Sequence, residues 1–105
     1  MIAYVYILLC SDGSYYTGLT RCGLELRIAQ HNSGTFGGYT FLRRPVVLLW
    51  SQEFAMLTDA IATERQLKGW SRAKKEALIA GDFARISELA RRGAAAVRPL
   101  PQTSS

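Results

Sequence analysis

Apolar residues fill both alternating sets of positions from Ile2 to Cys10. Ile2, Tyr4, Tyr6 and Leu8 form one set; Ala3, Val5, Ile7 and Leu9 form the other. A strand covered on both faces reads this way, so the pattern predicts a central strand over 2–10. Ser11-Asp12-Gly13-Ser14 follows as a turn, because Gly13 takes positive φ freely and Asp12 tolerates it. Tyr15 to Thr20 is the return strand, and Gly18 within it marks a place where a ligand or another backbone comes close. Register decides where the tyrosines go. A two-residue Asp12-Gly13 loop pairs Tyr6 with Leu19 and puts Tyr6 and Tyr16 on opposite faces. A bulged loop puts both on one face, and that form is expected here.

The spacing then changes to helical. Leu24 to Asn32 predicts a helix opened near Arg21-Cys22-Gly23 and closed by Asn32-Ser33-Gly34. Leu24 and Ile28 make its core contact; Arg27 and His31, also one turn apart, point together at the edge of the core. Gly34 to Phe41 is a glycine-rich loop with aromatic residues, followed by Arg43-Arg44-Pro45. The unbroken apolar run Val46 to Trp50 predicts a third strand, near 46–52, buried on both faces. Leu57 to Lys68 is a helix with Thr58 as its expected N-cap. Its inward stripe is Leu57, Ala60, Ile61, Glu64 and Leu67, and a carboxylate in such a stripe is costly unless paired, for which Arg27 is a candidate. Ser71 caps a helix from Arg72 to Ala80, with Lys74 and Lys75 outward and Ala73, Ala77 and Leu78 inward. Gly81 ends it, and Asp82 caps a last amphipathic helix, Phe83 to Arg92. The expected fold class is α/β: a small three-stranded, mostly antiparallel sheet flanked by helices. The expected organisation is a domain over 1–80, a C-terminal helix over 81–92 and a flexible tail over 93–105.

Composition narrows this picture in three ways. A chain of 105 residues, 49% of them hydrophobic, builds one core without disulfides or a structural metal. A net charge of +5 and a pI near 9.6 suit a polyanionic partner. Cys10 and Cys22 read as buried free thiols, and with His31 they lack the paired spacing of a zinc site. The apolar start has no basic stretch ahead of it and no small-residue cleavage site, so a soluble cytoplasmic protein is expected.

Taken singly, the candidate residues have ordinary readings. Tyrosines are common in strands, an arginine and a histidine on a helix are usually solvated, and Glu64 fits a simple ion pair. Together they resemble a known set. Tyr4-Val5-Tyr6, Tyr16-Thr17-Gly18, the run from Arg27 to Asn32, and Glu64 on a later helix are similar in order and spacing to the GIY-YIG nuclease family. The run RIAQHNSG, followed by Tyr39-Thr40, Arg43-Arg44-Pro45 and the segment ATERQLKGWSRAKKEALI, strengthens the likeness, most of all to small stand-alone bacterial members. The first triplet departs from Gly-Ile-Tyr and the second has Thr17 for isoleucine, but both tyrosines are kept.

The resemblance implies a metal-dependent DNA endonuclease, acting on single-stranded or structured DNA in repair or recombination. It implies catalytic roles for Tyr6, Tyr16, Arg27, His31 and Glu64, with Glu64 holding one Mg²⁺ or Mn²⁺ ion. Tyr16 takes the place near the attacking water, Tyr6 supports the site, and Arg27 holds the phosphate. Which of Tyr16, Tyr6 and His31 is the general base stays open. Gly18, Tyr39, Arg43, Arg44 and Lys68 are the candidate nucleic-acid contacts. The implied partner is DNA, with RNA left open, no membrane, and a monomer or weak homodimer. The competing reading is a nucleic-acid-binding module without catalysis, using the loop aromatics Phe36, Tyr39 and Phe41 for stacking.

Overall fold

The computed structural model describes residues 2–96. The elements run β1 (Ala3–Leu9), β2 (Tyr15–Thr20), α1 (Leu24–Ser33), a 3₁₀ turn (Phe41–Arg43), β3 (Val47–Phe54), α2 (Leu57–Lys68), α3 (Arg72–Ala80) and α4 (Phe83–Ala96). The three strands make one antiparallel sheet in the order β2-β1-β3. The class is α/β, as expected. The described residues fall into two compact units, one reaching Trp70 and one starting at Ser71.

β1 is central, and its continuous apolar pattern is explained by burial: Val5, Tyr6, Ile7 and Leu8 are each 1% exposed or less. The hairpin takes the bulged form. The Cys10 N–H donates to the Ser14 carbonyl, the Gly13 N–H donates to the Cys10 carbonyl, and Gly13 sits at φ +84°. The Asp12 carboxylate accepts from both the Ser14 N–H and its hydroxyl, which ties the turn. The resulting register sets Tyr6 opposite Gly18 and Leu8 opposite Tyr16. Tyr6 and Leu8 share a face, so Tyr16 lies on the face of Tyr6.

α1 covers that face. Leu24 and Ile28 pack on a core of Tyr6, Leu8, Cys10 and Val46, with Tyr16 beside them. Gly34, left-handed at φ +79°, closes the helix. The Asn32 amide then donates to the Val46 carbonyl at 3.1 Å and accepts the Val46 N–H at 2.7 Å. Two bonds from one side chain pin the end of α1 to the start of β3. α2 lies against all three strands. Its inward stripe is as read, with Ala60 and Leu67 buried and Leu57, Ile61 and Glu64 half-buried.

Several expectations change. β3 is an edge strand, not a strand buried on both faces: Val47 is 56% and Leu48 36% exposed, while Val46 just before it is buried. A sheet of three strands has one centre, and β1 takes it. The β1–β3 pairing also carries a bulge between Ile7 and Leu8, which an apolar run cannot reveal. Thr58 is not the N-cap of α2; Met56 holds that position with extended backbone and no side-chain bond. Cys10 is buried but Cys22 is exposed, and both are free thiols.

The second unit is a helix pair, α3 packed on α4. The Ser71 hydroxyl accepts the Lys74 N–H, and the Asp82 carboxylate accepts the Arg85 N–H, so both caps are as expected. Ala73 is exposed and Lys74 and Lys75 are half-buried, which reverses the expected facing at those positions. α4 runs past Gly93, where the tail was expected to begin, to Ala96. The three alanines after Gly93 are strong helix formers and offset the glycine. The rest of the expected tail, 97–105, lies outside the described residues. No helix among the described residues is long and apolar enough to cross a membrane.

Candidate active site

The site is built outward from Tyr6. Its hydroxyl lies 3.0 Å from His31 Nε2, and His31 Nδ1 lies 2.9 Å from the Thr40 hydroxyl. All three residues are buried, at 1%, 3% and 2% exposure. β1 supplies the tyrosine, α1 the histidine, and the glycine-rich loop the threonine. Gly18, directly across from Tyr6 on β2, is what lets the ring lie flat there: a Cβ on Gly18 would fall 2.5 Å from the Tyr6 Cζ and hydroxyl oxygen. The close approach read from Gly18 is therefore made by Tyr6 itself.

Burial has electrostatic consequences. Loss of water around the phenol, reinforced by Tyr16 and Glu64 and opposed by Arg27, pushes the Tyr6 pKa up to about 12. Burial, and then the Arg27 charge, holds His31 below its ordinary value. At neutral pH Tyr6 is a protonated phenol and His31 a neutral imidazole.

Tyr16 has a different setting. It is half-buried, with its ring centroid 6.5 Å from Tyr6, 5.4 Å from His31 and 5.9 Å from Tyr39. Tyr39 is stacked on it, tilted by 26°. Arg27, one helical turn before His31, places its guanidinium 4.7 Å from the Phe36 centroid, and the same ring lies 5.1 Å from His31. Arg27 Nε is buried and has no hydrogen-bond partner among the described residues. Arg27 and His31 point together as expected, but His31 sits inside the core and not at its edge.

α2 brings the carboxylate. The charges of Glu64 and Arg27 both act on the Tyr6 phenol, and Lys68 lies within the electrostatic reach of Tyr16. Tyr6, Tyr16, Arg27, His31 and Glu64 thus converge. The partner of Glu64 is Lys68, one turn along α2, with Nζ 2.7 Å from Oε2. It is not Arg27. The Glu64 side chain is 16% exposed against 56% for Lys68. The bond to Glu64 raises the Lys68 pKa.

The described residues contain no group of three or more His, Cys, Asp or Glu side chains able to hold a metal. That donor set still fits Mg²⁺ or Mn²⁺, which take one or two carboxylates and complete their shell with water and substrate oxygens. A half-buried carboxylate whose charge acts on the Tyr6 phenol is such a donor.

Of the expected nucleic-acid contacts, Gly18 and Lys68 are engaged with Tyr6 and Glu64, and both loop arginines also serve the protein itself. Arg43 donates to an Asp12 oxygen at 3.0 Å and to the Tyr39 carbonyl at 2.8 Å, and lies 3.9 Å from the Tyr39 centroid. It ties the hairpin turn to the loop and holds Tyr39 against Tyr16. Arg44 donates to the Phe41 carbonyl at 2.7 Å and lies over the Phe41 ring. Tyr39 remains 42% exposed. A hollow of about 480 Å³ lined by Asn32, Phe41, Leu42, Arg44 and Pro45 includes none of the five converging residues. Thr40 and Asp12 were missed as site residues. Asp12 reads from the sequence as a turn residue, and Thr40 only as half of the Tyr-Thr pair in the family resemblance, in a loop whose lack of periodicity gives it no role.

These side chains, on a three-stranded sheet with α1 and α2 packed on it, all lie within one matched span. The GIY-YIG catalytic domain matches residues 2–77, and the chain belongs to the GIY-YIG nuclease family. It is 43% identical over 76 residues to the UPF0213 protein of Staphylococcus saprophyticus, covering 72% of this chain and 92% of the relative. A UPF0213 protein of Halobacterium salinarum is 44% identical over 76 residues, 72% of this chain and 97% of the relative. The solution NMR structure of a UPF0213 protein from Bacillus halodurans is 39% identical, with a TM-score of 0.51 over 85% of this chain and 97% of that one.

Proposed function

We propose that the protein is a divalent-metal-dependent endonuclease that hydrolyses phosphodiester bonds in DNA, on single-stranded or structured substrates. The observation that carries this reading is the meeting of a half-buried phenol, Tyr16, with Arg27 and Glu64 beside the buried Tyr6–His31 pair. Phosphodiester hydrolysis needs an attacking water, neutralised charge on the phosphate, and a stabilised leaving oxygen.

Each need has a candidate. Tyr16 is the phenol with access to solvent; it orients the attacking water and, once its own proton has passed to solvent, takes the water's proton. Tyr6 is too deeply buried and too weak an acid to serve as that base, so it acts through its hydrogen bond to His31, holding the floor of the site. Arg27, half-buried, offers its planar guanidinium to the phosphate. Glu64 holds the Mg²⁺ or Mn²⁺ ion, which when bound stabilises negative charge on the leaving oxygen. Lys68 leaves the carboxylate and becomes a second cation for the phosphate. Tyr39, 42% exposed on the rim, meets the bases with its open edge.

One observation favours the binding module without catalysis: the Glu64–Lys68 bond of 2.7 Å neutralises the carboxylate. Cleavage of labelled single-stranded and duplex DNA in Mg²⁺, in Mn²⁺ and in chelator separates the two. The nuclease reading expects cleavage that chelator abolishes and that Arg27→Ala and Glu64→Ala each reduce by about 10²–10³-fold. Salt-sensitive binding with no cleavage in any condition would establish the binding module instead.

A further inference from the structure

We propose that Thr40 is a positioning residue that fixes the tautomer of His31, keeping Nε2 bare so that it accepts the Tyr6 hydroxyl. The three side chains form one buried line: Tyr6 hydroxyl, Nε2, Nδ1 and Thr40 hydroxyl, with contacts of 3.0 and 2.9 Å. A neutral imidazole carries one N–H, so the line has two possible directions. In one, Tyr6 donates to Nε2 and the Nδ1–H donates to Thr40. In the other, Thr40 donates to Nδ1 and the Nε2–H donates to Tyr6.

The chemistry of the two ends selects the first direction. A phenol is the stronger acid and the better donor; an aliphatic hydroxyl is the weaker acid and the better acceptor. Among the described residues the Tyr6 hydroxyl has no acceptor other than Nε2. Reversing the line would strand the phenolic proton, buried at 1% exposure; the first direction instead leaves the Thr40 hydroxyl proton without a described acceptor, and as the proton of the weaker acid and poorer donor it is the less costly one to strand. Thr40 therefore acts on Tyr6 at one remove. By taking the Nδ1 proton it clears Nε2, and by clearing Nε2 it turns the Tyr6 lone pairs away from His31. The phenol then presents acceptor, not donor, capacity toward the Tyr16 side of the site.

The chain has one histidine, so long-range ¹H–¹⁵N spectra report on this residue alone. In the wild-type protein Nδ1 is expected to be the pyrrole-type nitrogen and Nε2 the pyridine-type. Thr40→Val, which removes the hydroxyl at nearly constant volume, should mix or reverse the two signals; Thr40→Ser should restore them. A pyrrole-type Nε2 in the wild type overturns the proposal, whether or not the valine variant folds. So does a folded Thr40→Val with an unchanged tautomer. The kinetic arm rests on the nuclease reading: Thr40→Val lowers kcat about fivefold, as expected for one lost hydrogen bond, with KM for DNA unchanged and serine restoring kcat. The spectra need no catalysis, so they test Thr40 even if no cleavage is found.

Discussion

The two tyrosines lie on one face of one hairpin, yet they are held by opposite means. Tyr6 is sealed in the core, bonded to His31, and fitted against a glycine that leaves no room for a Cβ. Tyr16 is half-open, touched by rings and not by a described hydrogen bond, and steadied from the rim through Tyr39 and Arg43. The contrast teaches that residues matching in a motif need not share a task. The sealed phenol has the bonding of a structural post; the open one has the access that a reacting group needs.

The sharpest way to break this comparison is to remove each hydroxyl in turn. Tyr16→Phe should cut the cleavage rate by about 100-fold, on the scale of losing one catalytic proton-transfer group, and leave stability within about 0.5 kcal/mol. Tyr6→Phe should cost about 1–3 kcal/mol in denaturant melts, because it strands the buried Nε2 acceptor. Equal stability losses from the two variants would refute the division of labour.

A spectroscopic test is smaller in effect but more direct. The folded protein should show one phenol titrating at about 12, and Tyr6→Phe should abolish it. In the unfolded chain the same phenol ionises near its ordinary value of about 10. The unfolded state therefore loses its proton first, and stability contributed by the neutral phenol should fall as pH rises from about 10 toward about 12. Absorbance titration of the native protein and thermal melts above neutral pH check the value and the sign.

The smallest expected effect lies on the rim. The Asp12–Arg43 pair is exposed, and such pairs are screened by salt. Arg43→Ala should leave the melting temperature nearly unchanged while loosening Tyr39 from Tyr16, seen as averaging of the Tyr39 ring signals. High salt should move the wild-type spectrum toward that of the variant.

Much of the site's frame was legible in the sequence, because its periodic parts were. The double apolar set of β1, the Leu24/Ile28 contact with its Arg27/His31 companion, and the α2 stripe carrying Glu64 all follow from spacing along one element. What was not legible depends on contacts between elements. The exposure of Val47 and Leu48 follows from strand order, which an apolar run does not encode. Lys68 and Arg27 were both available to Glu64, and only the geometry selects the lysine. Thr40 sits in a loop whose path is set by Gly34, Gly38 and Arg43, not by any repeat.

That lysine has a consequence for the approach of DNA. A bare carboxylate at the heart of a phosphate-binding basin would repel the substrate at the point where it must come closest. With an ammonium seated on Oε2, Glu64 shows an incoming polyanion almost no net charge. On the nuclease reading, the resting protein gathers nucleic acid first and exposes the carboxylate of Glu64 afterwards.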